Sequence, residues 1–327
     1  MKAFVTGGTG FVGSHLAEAL VSRNYEVHCL VRRTSDLKWL EGLNVRLVYG
    51  SVTDPESLAA AVREKDIVFH VAGLTKARSA AEFLAVNAGG TRNVLAACKA
   101  HNPAVRRVVY VSSQAAAGPS RDGIPLTEES PCRPVCNYGR SKLGGEQAAA
   151  QFASDLPVTI VRPSAVFGPR DRDVFFMFQF VNRGILPLIG SRDMRLSLIH
   201  VKDLAAAIVL AGERPEAAGQ TYFAANPEPC RWVEAGEIVA LALGKKARRV
   251  RIPIAVVWLV AAVARGISVF RRSPPVLSPD KVRQLKQAHW ACSTAKIAST
   301  LGFRPRFSLE EGLRDTLRWY KENGWLK

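Results

Sequence analysis

The chain has 327 residues, of which 48% are hydrophobic and 22% are charged, and its formal net charge is +17. This composition excludes a disordered chain, and the length is sufficient for one large domain with a smaller attached lobe. No basic segment followed by a short apolar run opens the sequence, so we expect no cleaved secretory signal. The positive charge favours an anionic partner: nucleic acid, a membrane surface or a phosphorylated small molecule.

Short apolar runs alternate with helical patterns in the first half of the chain. Strands are predicted at residues 2–6, 26–31, 45–48, 67–70, 108–112 and 158–162, and helices at 14–23, 55–63, 81–100 and 137–153. Strands separated by helices of this length predict a doubly wound parallel α/β sheet, the Rossmann arrangement.

A glycine-rich turn lies between the first predicted strand and the first predicted helix. Gly7, Gly10 and Gly13 form a Gly-x-x-Gly-x-x-Gly pattern. Glycine at this spacing allows a tight turn and lets the backbone approach a pyrophosphate, to which the helix N-terminus offers N–H groups. The pattern predicts a dinucleotide site, with a purely structural turn as the alternative.

The end of the second predicted strand carries Arg32, Arg33 and Ser35, where an acidic residue would bind the ribose hydroxyls of NAD. Guanidinium and hydroxyl groups suit a 2′-phosphate instead. We therefore predict that NADP(H) is preferred, with NAD(H) as the alternative cofactor. The competing interpretation is that both arginines are solvated loop residues.

Tyr138 and Lys142 are four residues apart on a predicted helix and so share one face. A neighbouring ammonium and an oxidised nicotinamide would favour the phenolate, which lets a tyrosine exchange protons near neutral pH. Ser113 follows the strand predicted at 108–112 and is placed to hold the substrate oxygen. The three residues predict catalysis of hydride and proton exchange.

The second half of the chain is less regular. Residues 163–200 are rich in Gly, Pro, Arg and Phe and are predicted as substrate-contacting loops; 201–225 return to the sheet, and the rest is mostly helical. We divide the chain into a dinucleotide-binding domain (1–165, with 201–225) and a substrate-binding lobe (166–200 and 226–327). Cys132 and Cys136 have no second ligand pair, so no metal site is predicted.

A basic segment precedes an apolar run near the C-terminal third. Five cations fall within residues 245–251, and residues 252–264 are uncharged. The run is shorter than the ~20 residues that span a bilayer. It is predicted either as a buried helix of the second lobe or as a helix inserted partly into an anionic membrane surface through 245–272. No basic platform interleaved with aromatic residues is present, so nucleic acid is not an expected partner.

The sequence resembles the extended short-chain dehydrogenases/reductases, the superfamily of NAD-dependent epimerases and dehydratases. It is most similar to the branch of 3β-hydroxysteroid dehydrogenases, dihydroflavonol reductases and hopanoid-associated epimerase-like proteins. The segments that carry the resemblance are Thr6–Gly13, His70–Gly73, Val86–Asn93, Ser112–Ser113, Tyr138–Lys142, Arg162–Pro169, Ile199–Leu204 and Leu301–Leu313.

The resemblance implies a Ser113/Tyr138/Lys142 triad in which Lys142 also holds the nicotinamide ribose. It also implies a homodimer formed through the helices at 81–100 and 137–153. The residues predicted to contact the cofactor are Gly7, Thr9, Gly10, Phe11, Val12, Gly13, Arg32, Arg33, Ser35, Ser51, Val52, Val71, Ala72, Gly73, Asn87, Val111, Tyr138, Lys142, Pro163, Ala165 and Val166.

Two departures from the family pattern are informative. Gly50-Ser51-Val52 replaces the usual Gly-Asp-Leu, so the adenine contact is weakened or is supplied by Asp54 or the backbone. Gln114 and Ala115 stand where sugar 4,6-dehydratases place an Asp-Glu pair, and neither can serve as an acid catalyst. Sugar dehydration is therefore not expected.

Three functions remain. The first is an NAD(P)-dependent reductase or dehydrogenase acting on a bulky apolar secondary alcohol or ketone, such as a sterol, terpenoid or lipid. The second is an NAD-dependent nucleotide-sugar epimerase using the same residues. The third is a non-catalytic cofactor-sensing protein, which would be expected to lose Tyr138 or Lys142. We expect a cytoplasmic location, with peripheral attachment to the inner face of the membrane as the alternative.

Overall fold

The computed structural model describes residues 1–120, 123–190, 194–271 and 277–326. Its strands are β1 (Lys2–Thr6), β2 (Glu26–Val31), β3 (Val45–Tyr49), β4 (Ile67–His70), β5 (Arg107–Val111), β6 (Val158–Pro163), β7 (Ala165–Phe167), β8 (Ile185–Ile189), β9 (Arg195–Leu196), β10 (Leu198–His200), β11 (Thr221–Ala224), β12 (Cys230–Arg231), β13 (Arg248–Ile252) and β14 (His289–Trp290).

The helices flank these strands, with a π-helical turn at Leu84–Gly89 and a 3₁₀ turn at Pro215–Ala217. They are α1 (Phe11–Val21), α2 (Pro55–Ala61), α3 (Ala80–Phe83), α4 (Gly90–His101), α5 (Gln114–Ala117), α6 (Asn137–Ala150), α7 (Phe175–Asn182), α8 (Val201–Glu213), α9 (Trp232–Ala242), α10 (Ile254–Arg271), α11 (Pro279–Leu285), α12 (Ala295–Leu301) and α13 (Leu309–Glu322).

A seven-stranded parallel sheet forms the centre of the fold, in the order β11-β6-β5-β4-β1-β2-β3. The prediction of a doubly wound parallel sheet is confirmed. The strand order reverses between β1 and β4, and this switch point is where open α/β sheets bind ligands, beyond the carboxyl ends of the strands. Most of the predicted cofactor residues lie at or after the carboxyl ends of β1 to β6, whereas Asn87, Tyr138 and Lys142 lie on the helical segments that follow β4 and β5.

The two faces of the sheet bury different cores. Ala3 and Val5 pack in one hydrophobic cluster, and Phe4 packs in the other, because successive strand residues point to opposite faces. A third cluster, which includes Phe178 and Tyr320, holds α7, α9 and α13 together in the second half of the chain. The sheet is therefore covered on both sides, as a parallel sheet requires.

Two predicted elements are wrong in detail. The helix predicted at 81–100 is interrupted by the π-helical turn, which places Asn87 inside the fold. The segment 163–200 is not a set of loops, because it contains α7 and four short strands in its described part. Met177, Phe178 and Val181 are buried on one face of α7, so the aromatic residues there pack a core of their own.

The apolar run predicted at 252–264 lies in α10, which has 18 residues. The buried-helix interpretation is wrong for much of this helix: Val257 and Ala261 are buried, whereas Leu259 is 65% exposed and Val263 56% exposed. Among the residues that the structure describes, none of the helices has the length and hydropathy that a bilayer crossing requires.

Candidate active site

The glycine turn connects β1 tightly to α1. Gly7 has φ +77°, and a side chain on Gly13 would begin 2.0 Å from the Gly7 carbonyl oxygen. A side chain on Gly7 would begin 2.7 Å from the Ala72 amide nitrogen, so β4 also approaches this turn. Gly10 caps α1 without a side-chain hydrogen bond. The N–H groups in the first turn of α1 therefore have no capping side chain. Because such groups bind anions, the glycine turn, which we call the cradle, fits a dinucleotide pyrophosphate.

The residues predicted to bind a 2′-phosphate lie in the loop that follows β2. Arg32 and Arg33 are both exposed, and the Arg33 guanidinium carbon lies 5.8 Å from the centre of the Tyr49 ring. The Ser35 hydroxyl accepts a hydrogen bond from the Arg32 amide, which tightens the turn. The arginines are therefore exposed on a loop that has local order.

Ser51 and Val52 follow β3, and their polar groups form hydrogen bonds with neighbouring side chains. The Ser51 hydroxyl pairs with that of Thr53, and Val52 is buried with its carbonyl accepting from Asn93. Asp54 is the N-cap residue of α2, but its side chain makes no capping hydrogen bond and is exposed. Both Asp54 and backbone groups thus remain candidates for the adenine contact.

Asn87 connects the end of β4 to the catalytic helix α6. Its Oδ1 accepts from the Leu74 amide at 2.7 Å, and its Nδ2 donates to the Leu74 carbonyl at 3.0 Å and to the Ser141 hydroxyl at 2.8 Å. A side chain on Gly73 would begin 3.1 Å from Asn87 Oδ1 and 3.5 Å from Lys142 Nζ. The structure therefore brings Gly73, Asn87 and Lys142 together, with Val71 and Ala72 just before them.

The three predicted catalytic residues converge at the carboxyl ends of β4 and β5. Ser113 caps α5, with its hydroxyl accepting from the Ala115 amide at 3.1 Å, and its side chain lies near the Tyr138 phenol. Burial raises the pKa of Tyr138 to about 12, although the neighbouring Ser113 side chain acts in the opposite direction. The Tyr138 phenol therefore holds its proton at neutral pH.

Lys142 is 3% exposed, and its Nζ donates to the Val111 carbonyl at 2.6 Å. Burial lowers the pKa of Lys142 to about 7, although the Glu146 carboxylate acts in the opposite direction. The ammonium also lies 4.6 Å from the centre of the Tyr110 ring. The lysine is therefore fixed against β5 by a hydrogen bond and a ring contact.

A buried ion pair that is not among the predicted site residues lies one helical turn beyond Lys142. Glu146 accepts from the Ser112 hydroxyl at 2.5 Å and from Arg162 Nε at 2.9 Å, while its other oxygen lies 2.6 Å from Arg162 Nη2. Both side chains are 7% exposed. In the sequence, the four-residue spacing that places Glu146 on the same helix face as Lys142 was the signal that could have indicated this carboxylate. The pair ties α6 to β5 and β6 behind the catalytic residues.

A hydrogen-bonded chain behind the glycine turn was also missed. The Ala72 amide donates to Thr6 Oγ1, which lies 2.7 Å from His70 Nδ1; His70 Nε2 lies 3.0 Å from Thr91 Oγ1, which donates to the Asn87 carbonyl. This polarity assigns the imidazole proton to Nε2. Burial lowers the pKa of His70 to about 3, so the ring is neutral and structural.

Three further predicted residues lie at the end of β6 and in β7. Pro163 is buried, Ala165 is exposed, and Val166 pairs with Ile199 in a short parallel ladder.

The two cysteines near α6 have structural contacts. Cys136 Sγ accepts from the Gly139 amide, and Cys132 Sγ accepts from Arg162.

The residue that follows Ser113 is Gln114, which is 4% exposed. Within the described part of the chain, its Nε2 atom has no hydrogen-bond partner. A buried amide donor without a partner therefore lies in the residue next to Ser113.

Comparison with known proteins agrees with this architecture. The model of the NAD dependent epimerase/dehydratase family matches residues 3–225. A ceramide reductase of Caulobacter vibrioides is 33% identical over 323 residues, which cover 98% of this chain and 95% of that protein. A 3 beta-hydroxysteroid dehydrogenase/Delta 5-->4-isomerase of Mycobacterium tuberculosis is 31% identical over 338 residues, which cover 98% and 90%.

The solved structure of a UDP-glucose 4-epimerase from Thermus thermophilus, in complex with NAD, has the same fold. It superposes with a TM-score of 0.79 at 24% identity and covers 98% of this chain and 99% of that one.

Proposed function

The chain belongs to the NAD dependent epimerase/dehydratase family, and we propose that it interconverts a secondary alcohol and a ketone on a bulky apolar substrate. It is an enzyme of the extended short-chain dehydrogenase type, and the family acts on small molecules. The observation that carries the proposal is the convergence of Ser113, Tyr138 and Lys142 beside the glycine turn.

A bound nicotinamide would supply hydride to the carbonyl carbon, or accept it from the alcohol. In reduction, the Tyr138 hydroxyl would donate its proton to the carbonyl oxygen as the C–H bond forms, leaving a phenolate. The Ser113 hydroxyl would hold that oxygen, and the Lys142 ammonium would stabilise the phenolate. In oxidation, the same phenolate would take the alcohol proton.

The relatives favour an apolar substrate. One is named for ceramide and one for a hydroxysteroid, and both match almost the whole chain. Dehydration of a sugar is disfavoured because Gln114 and Ala115, both buried after Ser113, lack an acidic group. The nucleotide-sugar epimerase remains the second candidate, since it would use the same three catalytic residues.

We propose that NADP(H) is preferred over NAD(H), because Arg32 and Arg33 are exposed beside the ribose end of the glycine turn. Calorimetric titration with NADPH, NADP⁺, NADH and NAD⁺ tests this, after absorbance and mass spectrometry have checked for retained cofactor. In the double variant Arg32→Ser/Arg33→Ser, we expect NADPH affinity to fall on the order of tenfold or more, with NADH affinity nearly unchanged.

Arg46→Ser is the matched control, because Arg46 is an exposed arginine on β3 with an ion pair to Glu26. Equal affinity for NADPH and NADH in the unmodified protein would contradict the assignment. Tightly retained NAD, with no net change in cofactor absorbance during turnover, would favour the epimerase.

The activity itself is tested by incubating the protein and NADPH with a long-chain β-keto lipid and with a 3-ketosteroid. We expect cofactor oxidation and formation of the corresponding alcohol. Conversion of a nucleotide sugar, with neither apolar ketone reduced, would overturn the proposal.

We further propose a homodimer whose interface is formed by α6 and by the helical segment that runs from α3 through the π-helical turn to α4. Leu84 is 48% exposed on the π-helical turn beside α6, and a dimer would cover it. Sedimentation analysis tests this, with Leu84→Glu expected to favour the monomer. An unchanged mass for this variant would contradict the interface.

A further inference from the structure

The exposed side of α10 is an unusual surface for a folded enzyme. Five large aliphatic residues lie on it, at 46% to 65% exposure: Val256, Leu259, Val260, Val263 and Ile267. Their spacing of three and four residues places them within an arc of about 100° on one face of the helix. We call this set the aliphatic stripe. Monomeric proteins rarely expose such a contiguous apolar patch without a partner.

The opposite side of α10 packs onto the protein. Val257 and Ala261 are buried against Val282 of α11, with Ile252 and Trp258 at the edge of the same cluster. The helix therefore has one face committed to the fold and one face that the fold leaves uncovered. The aliphatic stripe is thus not needed to pack the lobe.

A band of cations lies immediately before the aliphatic stripe, and we call it the basic border. β13 pairs with β8 and carries Arg248, Arg249 and Arg251 at exposed positions, and Lys245 and Lys246 are exposed just upstream. No charged residue occurs between Arg251 and Arg265. In the chain, an exposed basic segment is thus followed directly by a helix with an exposed apolar face, the combination that an anionic bilayer interface attracts.

We propose that the aliphatic stripe and its basic border form a docking surface for an anionic lipid bilayer. A second copy of this chain is a poorer occupant, because a self-complementary contact would bring two basic borders together. Nucleic acid is also a poorer occupant, because the exposed face is aliphatic and offers no rings for base stacking.

The docking surface is connected to the catalytic helix through one element. The Asp280 carboxylate of α11 accepts hydrogen bonds from the Asn137 amide at 2.8 and 3.0 Å and from the Tyr138 amide at 3.4 Å. These amides open α6, where a carboxylate also complements the helix dipole. A bilayer on α10 therefore lies one helix away from Tyr138. Delivery of a lipid substrate along this path rests on the proposed function, whereas the docking surface rests on its own contacts.

Co-sedimentation of the full chain with vesicles tests the docking surface. The vesicles contain phosphatidylcholine alone or with about one third phosphatidylglycerol, at low and high salt. We expect binding to the anionic vesicles that weakens with salt. The double variant Leu259→Glu/Val263→Glu should lose on the order of tenfold or more of the partition coefficient, since two aliphatic side chains no longer insert.

Ile124→Glu is the matched control, because Ile124 is 71% exposed and lies outside α10. Calorimetric titration with NADPH checks that all variants keep the folded cofactor site. No vesicle binding, or equal binding by the double variant, would overturn the proposal. So would a change from dimer to monomer in the double variant, since the stripe would then be a self-association surface. Vesicle binding without ketone reduction would refute the proposed function and leave the docking surface standing.

Discussion

At the scale of single residues, burial shifts the pKa values of two titratable side chains of the candidate site. Burial raises the pKa of Tyr138 to about 12 and lowers the pKa of Lys142 to about 7. Neither side chain alone favours a phenolate at neutral pH. The positive charge of an oxidised nicotinamide would favour the phenolate, so the direction of proton transfer depends on the cofactor's redox state.

Tyr138→Phe tests the proton donor. We expect turnover to fall by about 10²- to 10⁴-fold with little change in NADPH affinity, because only the hydroxyl is removed. Steady-state NADPH oxidation and calorimetric titration measure the two effects separately. Phe83→Leu is a suitable control, since the centre of this ring lies 6.1 Å from that of Tyr138 and the ring has no polar group. Retained turnover in Tyr138→Phe would remove the tyrosine from the mechanism.

Gly13→Ala tests the cradle. The new methyl group would begin 2.0 Å from the Gly7 carbonyl oxygen, so the turn must move and NADPH affinity should fall by roughly tenfold or more. Gly266→Ala is the control, because nothing lies within 4 Å of its added methyl group. Calorimetric titration of both variants gives the answer, and unchanged affinity in Gly13→Ala would show that the pyrophosphate binds elsewhere.

At the scale of elements, α6 lies close to α5 and to β5 because two of its residues lack side chains. A side chain on Gly139 would begin 2.2 Å from the Ala115 carbonyl oxygen, and one on Gly145 would begin 2.2 Å from the Tyr110 hydroxyl. This close approach sets the height of Tyr138 and Lys142 above the strand ends. The catalytic geometry is therefore a consequence of helix packing as well as of spacing along the helix.

The last helix, α13, begins with a capping box, and Ser308 and Glu311 have the spacing that is typical of this motif. Ser308 Oγ accepts from the Glu311 amide at 3.3 Å, and the Glu311 carboxylate accepts from the Ser308 amide at 2.9 Å. Ser308→Ala should reduce the free energy of unfolding by about 1 kcal/mol. Denaturant unfolding measures this, with Ser299→Ala as the control because Ser299 is exposed inside α12. Equal losses in the two variants would exclude a capping contribution.

At the scale of the whole molecule, acid stability depends on buried histidines. Burial lowers the pKa of His15 and of His70 to about 3, from an ordinary value of 6.5. The unfolded chain therefore binds these two protons first, and the free energy of unfolding falls as pH drops from 6.5 toward 3. Burial raises the pKa of Asp171 to about 7, which acts in the opposite sense between pH 3.8 and 7.

His15→Gln should flatten this acid dependence. Unfolding free energies measured between about pH 7 and about pH 5 should show a smaller loss than in the unmodified protein, since one proton fewer is taken up on unfolding. His101→Gln, at an exposed position at the end of α4, is the comparison. The same slope in His15→Gln and in the unmodified protein would contradict burial of a neutral imidazole.

The net charge of +17 is also a property of the whole molecule, and its cations have different surroundings. Arg162 pairs with Glu146 in the interior, and Arg170 pairs with Glu18 of α1. The cations of the basic border lie at the surface beside the aliphatic stripe. Composition indicates an anionic partner, but the placement of these residues decides which face would meet it.

The sequence by itself determined the elements whose signals are local. The alternation of strands and helices, the glycine spacing at residues 7–13, and the pair Tyr138 and Lys142 all depend on neighbours within a few residues. Backbone sterics and helical periodicity act at that range, so these features and the family could be inferred before the fold was known.

Tertiary structure decided what depends on residues far apart in the chain. The Glu146–Arg162 pair joins residues that are 16 apart in the chain, and the contact of Asp280 with Asn137 of α6 joins residues that are 143 apart. The π-helical turn that contains Asn87 also depends on such packing. It also decided that α10 buries one face and exposes the other. A uniformly apolar run contains no periodic signal for its orientation, so only the neighbour that packs against it sets the exposed face.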